Sequence, residues 1–154
     1  MREPNTSYIN ISAPNLLTIC IDRTDDGEIG GRFYHCYDHI PVVFSSVVEL
    51  LTKAERFFDE IAFPQASTMT RKFHVKETTP QTYNKRRPEK VVDQTEIIRH
   101  TGEKATFVVW VKFRQNSTWQ GEAVWMEEGI KKRFANILEL TSRIDKSLQK
   151  IEKS

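Results

Sequence analysis

Sliding this 154-residue chain by 90 positions lays segment 17–61 on segment 107–151 without a gap. Gly31 then meets Gly121, Ile40 meets Ile130, Phe44 meets Phe134, Glu49 meets Glu139, Leu50 meets Leu140 and Ile61 meets Ile151. Charge signs agree at Lys53/Arg143, Glu55/Asp145 and Arg56/Lys146, and apolar character agrees at Ile19/Val109, Ile21/Val111, Val47/Ile137, Val48/Leu138 and Phe58/Leu148. Any two amphipathic helices align in part. Here one register holds across a hairpin and a helix together, which favours an internal repeat over chance.

Each copy reads the same way. Leu17–Ile21 and Phe107–Phe113 are β-rich runs with period-two alternation. Asp25-Asp26-Gly27 and Gln115-Asn116-Ser117 follow as polar turns, and Asp-Gly is a hairpin signal because glycine accepts positive φ without a Cβ clash. Second strands follow over Ile29–Tyr37 and Trp119–Met126, with Gly31 and Gly121 marking a bulge or a close backbone approach. Ser46 with Glu49, and Asn136 with Glu139, are capping signals: an acceptor three residues ahead of a carboxylate that can reach back. Val47, Leu50, Ala54, Phe58 and Ile61 then form one helical stripe, and Ile137, Leu140, Ile144, Leu148 and Ile151 its counterpart.

Residues 62–106 read as an extended, partly mobile connector. Phe63-Pro64 stops the first helix. Met69 to Val75 alternates as an extra strand, Thr78 to Lys90 is a polar loop, and Val91-Val92 with Ile97-Ile98 adds a short strand. The expected fold is a single α+β domain over 1–154: a pseudo-twofold duplication of a ββα unit, with a mainly antiparallel sheet of four to six strands and two helices on one face. Odd positions Phe107, Val109, Val111, Phe113, Trp119, Ala123 and Trp125 should face the helices. Even positions Val108, Trp110 and Val124, with Cys20, Tyr34 and Cys36, should face away.

Composition bounds the function classes. Hydrophobic residues at 38% and charged residues at 29% describe a globular chain, and no run approaches the roughly 18 apolar residues of a membrane span. The formal net charge of +2 argues against a large basic face. Cys20 and Cys36 are too few for a disulfide framework, and Met1 to Asn15 lacks the apolar core of a signal peptide. A cytoplasmic protein without a cofactor is expected.

Four candidate sites stand out. The outward face with Tyr34 and Trp110 is too apolar for plain exposure, so either it meets a partner or the chain covers it. The hairpin carrying Arg114, Gln115, Asn116, Trp119 and Gln120 offers a guanidinium fork, amides and an indole to a carboxylate, phosphate or base, or else braces itself. Arg71, Lys85, Arg86 and Arg87, within or near the basic loop 85–90, could meet phosphates. His35-Cys36-Tyr37-Asp38-His39 collects metal-ligand types, but the sequence supplies no second donor pair. No Ser-His-Asp order, Gly-rich phosphate cradle or HExxH run is present.

Phe113-Arg114-Gln115-Asn116-Ser117-Thr118-Trp119-Gln120-Gly121, the strand-ending Trp125, and Phe134 with Leu138-Glu139-Leu140 resemble the pattern of a family of small cytosolic Firmicutes proteins. Gly31-Arg32-Phe33-Tyr34 and Pro64-Gln65-Ala66 extend the resemblance over most of the chain, while Ala135-Asn136 stand where that pattern has Arg-Ser. The resemblance implies a bacterial, cytosolic setting and brings no activity with it. The function expected is a non-enzymatic binding or regulatory module. It would act on a protein partner or a second copy through the apolar sheet face and the Arg114–Gly121 hairpin. The alternative is a small-ligand (nucleotide-like) or nucleic-acid binder using that hairpin and the basic loop. No membrane partner is expected.

Overall fold

The computed structural model describes residues 13–25, 28–61, 90–115 and 118–153. Its elements run β1 (Leu17–Asp25), β2 (Glu28–Tyr34), β3 (Val42–Phe44), α1 (Val47–Ile61), α2 (Gln94–Ile97), β4 (Ala105–Gln115), β5 (Thr118–Trp125), β6 (Ile130–Phe134) and α3 (Ile137–Lys153). The six strands form one antiparallel sheet in the order β3-β2-β1-β4-β5-β6. The fold is therefore α+β. Two expectations need correction. Each hairpin is followed by a third strand, so the local unit is βββα rather than ββα. There are also three helices among the described residues, not two.

The two halves share their hydrogen-bond register. Ile21 lies opposite Gly31 and Val111 opposite Gly121; Gly31 pairs on with Phe44 and Gly121 with Phe134. Both hairpins break register at one step, between Ile21 and Arg23 and between Val111 and Phe113. At these breaks a Cβ on Gly31 would overlap the Cys20 carbonyl oxygen, and one on Gly121 would overlap that of Trp110. Only glycine lets the bulged strand come this close. The central pair β1–β4 sets Thr18 against Val108, flanked by Leu17 against Val109 and Ile19 against Phe107.

The helix starts also match. The Ser46 hydroxyl accepts from the Glu49 N–H at 3.0 Å, and the Asn136 side-chain oxygen accepts from the Glu139 N–H at 2.9 Å. Each carboxylate reaches back one residue beyond the cap, to the N–H of Ser45 and of Ala135, both at 2.8 Å. Lys53 on α1 donates to the Val43 carbonyl at 2.7 Å, and Arg143 on α3 donates to the Arg133 carbonyl at 3.0 Å. β3 and β6 are the outer strands of the sheet, so these cations occupy edge carbonyls that another strand would need for pairing.

The main core lies between the sheet and the two long helices. Ile19, Ile21, Phe33, Phe44, Phe107, Val109, Val111, Trp119 and Trp125 of the sheet meet Leu50, Ala54, Phe58, Leu140, Ile144 and Leu148. One member of the expected inward set departs: Phe113 is 57% exposed. The bulge at Lys112 inverts the alternation, so Arg114 takes the inward place and is buried.

The opposite face has a smaller core of Leu16, Cys36, Val92, Ile97, Ile98 and Val108, with Tyr34, Tyr37, Trp110 and Met126 packed against it. The expected strand at Val91-Val92 and Ile97-Ile98 is absent. Asp93 instead caps α2, its side chain accepting from the Thr95 N–H at 3.1 Å, and Ile97 and Ile98 turn down onto the sheet. The expected strand at Met69–Val75, the turn residues Asp26 and Gly27, and most of the loop 78–90 lie outside the described residues.

Candidate functional site

The Arg114 hairpin carries five of the candidate residues. α1 descends from the β3 edge and brings Glu55 and Asp59 to the β4–β5 tip. There Arg114 Nη1 donates to Glu55 Oε2 at 2.7 Å and to Asp59 Oδ1 at 2.9 Å. Its guanidinium lies 5.6 Å from the Phe58 ring centre. Trp119, paired with Arg114 across the hairpin, donates its indole N–H to Glu55 Oε1 at 2.6 Å and meets Phe58 edge-on. Arg114 and Trp119 are thus enclosed and bonded to their own chain, while Gln120 is half-buried. Asn116 and the side chain of Gln115 lie outside the described residues, as do Arg71, Lys85, Arg86 and Arg87.

The residues after β2 split between the two faces. His35 turns to the helix side, stacks on Phe57 with ring centres 4.0 Å apart, and accepts the Tyr37 N–H on Nδ1 at 3.0 Å. Burial pushes its pKa down to about 4, so the ring is neutral at pH 7. Cys36 goes to the other face, where burial raises its thiol to about 11; burial raises Cys20 to about 12. Both thiols stay protonated, the unreactive form. Among the described residues no group of three His, Cys, Asp or Glu side chains is arranged to hold a metal ion.

The sheet face away from the helices divides in two. Over β1, β2 and the Val108 end of β4 the chain covers itself. His100 stacks flat on Tyr34 with ring centres 3.6 Å apart. Arg32 bonds Asp22 at 2.5 Å, the Tyr34 hydroxyl at 2.9 Å and the Thr101 carbonyl at 3.1 Å. Backbone N–H groups of Glu103 and Lys104 add bonds to Asp22 and to the Ile21 carbonyl. Burial and the Arg32 charge hold the His100 pKa below its ordinary value.

Over β4, β5 and β6 the arrangement differs. Cross-strand rows run Val108–Val124–Lys131 and Trp110–Glu122–Arg133. Trp110 is half-buried, with Lys112 Nζ 5.2 Å from its ring centre. Glu122 is 7% exposed and lies 3.4 Å from Lys112 and 3.7 Å from Lys131. Lys131 and Arg133 are exposed on the outer strand. Lys112, Glu122, Lys131 and Arg133 escaped the sequence reading, although one signal was available. Ninety residues on from Asp22 and Arg32 stand Lys112 and Glu122, the same ion pair with its charges exchanged.

Comparison of the chain with protein-family models, with curated proteins and with solved structures returned no match. No helix among the described residues is long and apolar enough to cross a membrane.

Proposed function

We propose that this protein is a non-enzymatic bacterial binding module of the cytoplasm, and that its ligand surface is the outer face of β4–β6 around Trp110. One observation carries the reading. Residues 90–104 of the chain close over β1, β2 and the Val108 end of β4, whereas Trp110, packed at the margin of that cover, stays partly exposed beside Lys112, with Lys131 and Arg133 exposed on the outer strand. A partly exposed indole beside cations is a feature enriched at recognition surfaces.

The reading includes duplication of a βββα unit. Support comes from the shared 90-residue offset of bulges, glycines and helix caps. The Arg114 hairpin then serves as a brace that fixes the β4–β5 tip against α1, behind the ligand face. Two buried, protonated thiols and a neutral, packed His35 favour binding over nucleophilic or acid–base chemistry. Kinship with the Firmicutes family that the sequence resembles is part of the same proposal.

A photo-crosslinking amino acid at position 110, compared with one at Lys146 on the exposed side of α3, tests it in cells of the source organism. Specific adducts from position 110 alone are expected. Equal yields from both positions would refute the reading.

A further inference from the structure

We infer that the β4–β6 face binds single-stranded nucleic acid, with Trp110 as a stacking surface and Lys112, Lys131 and Arg133 as phosphate contacts. The inference rests on the reading of that face as the ligand surface, and it names the ligand class.

Charge and shape carry it. Val108 and Val124 are buried in this part of the face and Trp110 is its partly exposed aromatic side chain, with Lys131 and Arg133 standing beside it on β6. Lys112 and Lys131 lie against one carboxylate, Glu122, which is itself buried beneath them, and Arg133 stands opposite it in the strand register. The rim is therefore left positive. Adjacent strands are about 4.8 Å apart, so Trp110 and Arg133, two strands apart in one row, are separated by roughly 10 Å. The Lys112 ammonium lies over the Trp110 ring; a phosphate that draws it aside frees that ring face for its own base.

The other half of the same face holds an analogous contact. There a flat heteroaromatic ring, His100, is stacked on Tyr34 with the Arg32 guanidinium at its edge. In chemistry this is a base on an aromatic platform beside a cation, supplied by the chain itself. Single strands fit because their bases are free to splay onto an aromatic side chain, whereas in a duplex the bases stack on each other. A run of aspartate and glutamate alone would satisfy the cations but brings no ring to Trp110.

Fluorescein-labelled oligothymidylate, titrated with the full chain and followed by anisotropy, provides the test. At about 0.7 per phosphate contact, three contacts give a slope of log affinity against log salt near −2, so affinity falls roughly 20-fold between about 50 and 200 mM salt. The double substitution K131E/R133E lies on exposed positions of an outer strand and should lower affinity at least tenfold, with unchanged circular dichroism. K146E, on the exposed side of α3, should leave affinity unchanged. Quenching of Trp110 fluorescence on binding, lost in W110F, is expected from stacking. The inference is overturned by no binding at the lower salt, by binding that K131E/R133E leaves intact, or by equal binding of poly-glutamate. Specific protein adducts from position 110 together with no oligothymidylate binding would discard the ligand class and keep the face.

Discussion

Replacing Arg114 with Met keeps most of the aliphatic stem against Phe58 and removes the guanidinium. Two charge-assisted hydrogen bonds, to Glu55 and Asp59, are lost with it. Such bonds contribute about 1.5–3 kcal/mol each when enclosed. Here the carboxylate side chains are 39% and 63% exposed and regain water when released, so each bond is discounted to about 1 kcal/mol. The neutral thioether buries no charge, and the two carboxylates left without their cation are hydrated. A loss of about 2 kcal/mol follows, which for a chain of this length lowers Tm by roughly 4–8 °C. Urea denaturation of R114M, E55Q and the double variant gives the coupling directly. About 1 kcal/mol of coupling is expected, because the residues are in contact. A change in stability below about 0.5 kcal/mol, with no coupling, would refute the argument that the hairpin is braced on α1.

Gly31→Ala and Gly121→Ala should each destabilise by about 1–3 kcal/mol in urea titrations, because both place a Cβ on a neighbouring carbonyl oxygen; a neutral result at either would contradict the bulge geometry. His35 has its folded pKa depressed to about 4 from an ordinary 6.5, so below pH 6.5 the unfolded chain takes a proton that the folded chain refuses. Stability should therefore fall as pH drops from about 6.5 towards 4, by up to about 3 kcal/mol, and His35→Phe should flatten that part of the curve. Cys20 and Cys36 should resist iodoacetamide in the folded protein and react on unfolding; rapid modification of the native chain would contradict their burial.

Much of the fold was legible because it is written in local chemistry. Ser46 with Glu49 and Asn136 with Glu139 announce helix starts through bonds made within one turn. Gly31 and Gly121 announce a close approach because no other residue fits. β3 and β6 were not legible: Val42–Phe44 is three residues long, and Lys131-Lys132-Arg133 breaks alternation, as outer strands do to discourage further pairing. α2 was announced by Asp93 with Glu96, a capping pair masked by the β-branched residues around it. The bulge at Lys112 cannot be read from the residue itself, and one inserted position exchanged the faces of Phe113 and Arg114. The partners of Arg114 lie 59 and 55 residues away on a crossing helix, and only the packed structure brings them to it. Of the proposed binding face, Trp110 was visible in the sequence. Its cationic rim depends on cross-strand register and was not.

The most direct measurement of the central claim is the solvent exposure of Trp110 against the two other tryptophans. In 5-fluorotryptophan-labelled protein, with the signals assigned by W110F, W119F and W125F, a soluble gadolinium chelate broadens the fluorine resonances of rings that meet water. Trp119 and Trp125 are 2% and 6% exposed and should be shielded, while Trp110 should broaden and should lose that broadening when its ligand binds. A Trp110 resonance as protected as the other two in the free protein would mean that the chain seals this face itself, and the binding surface described here would not exist.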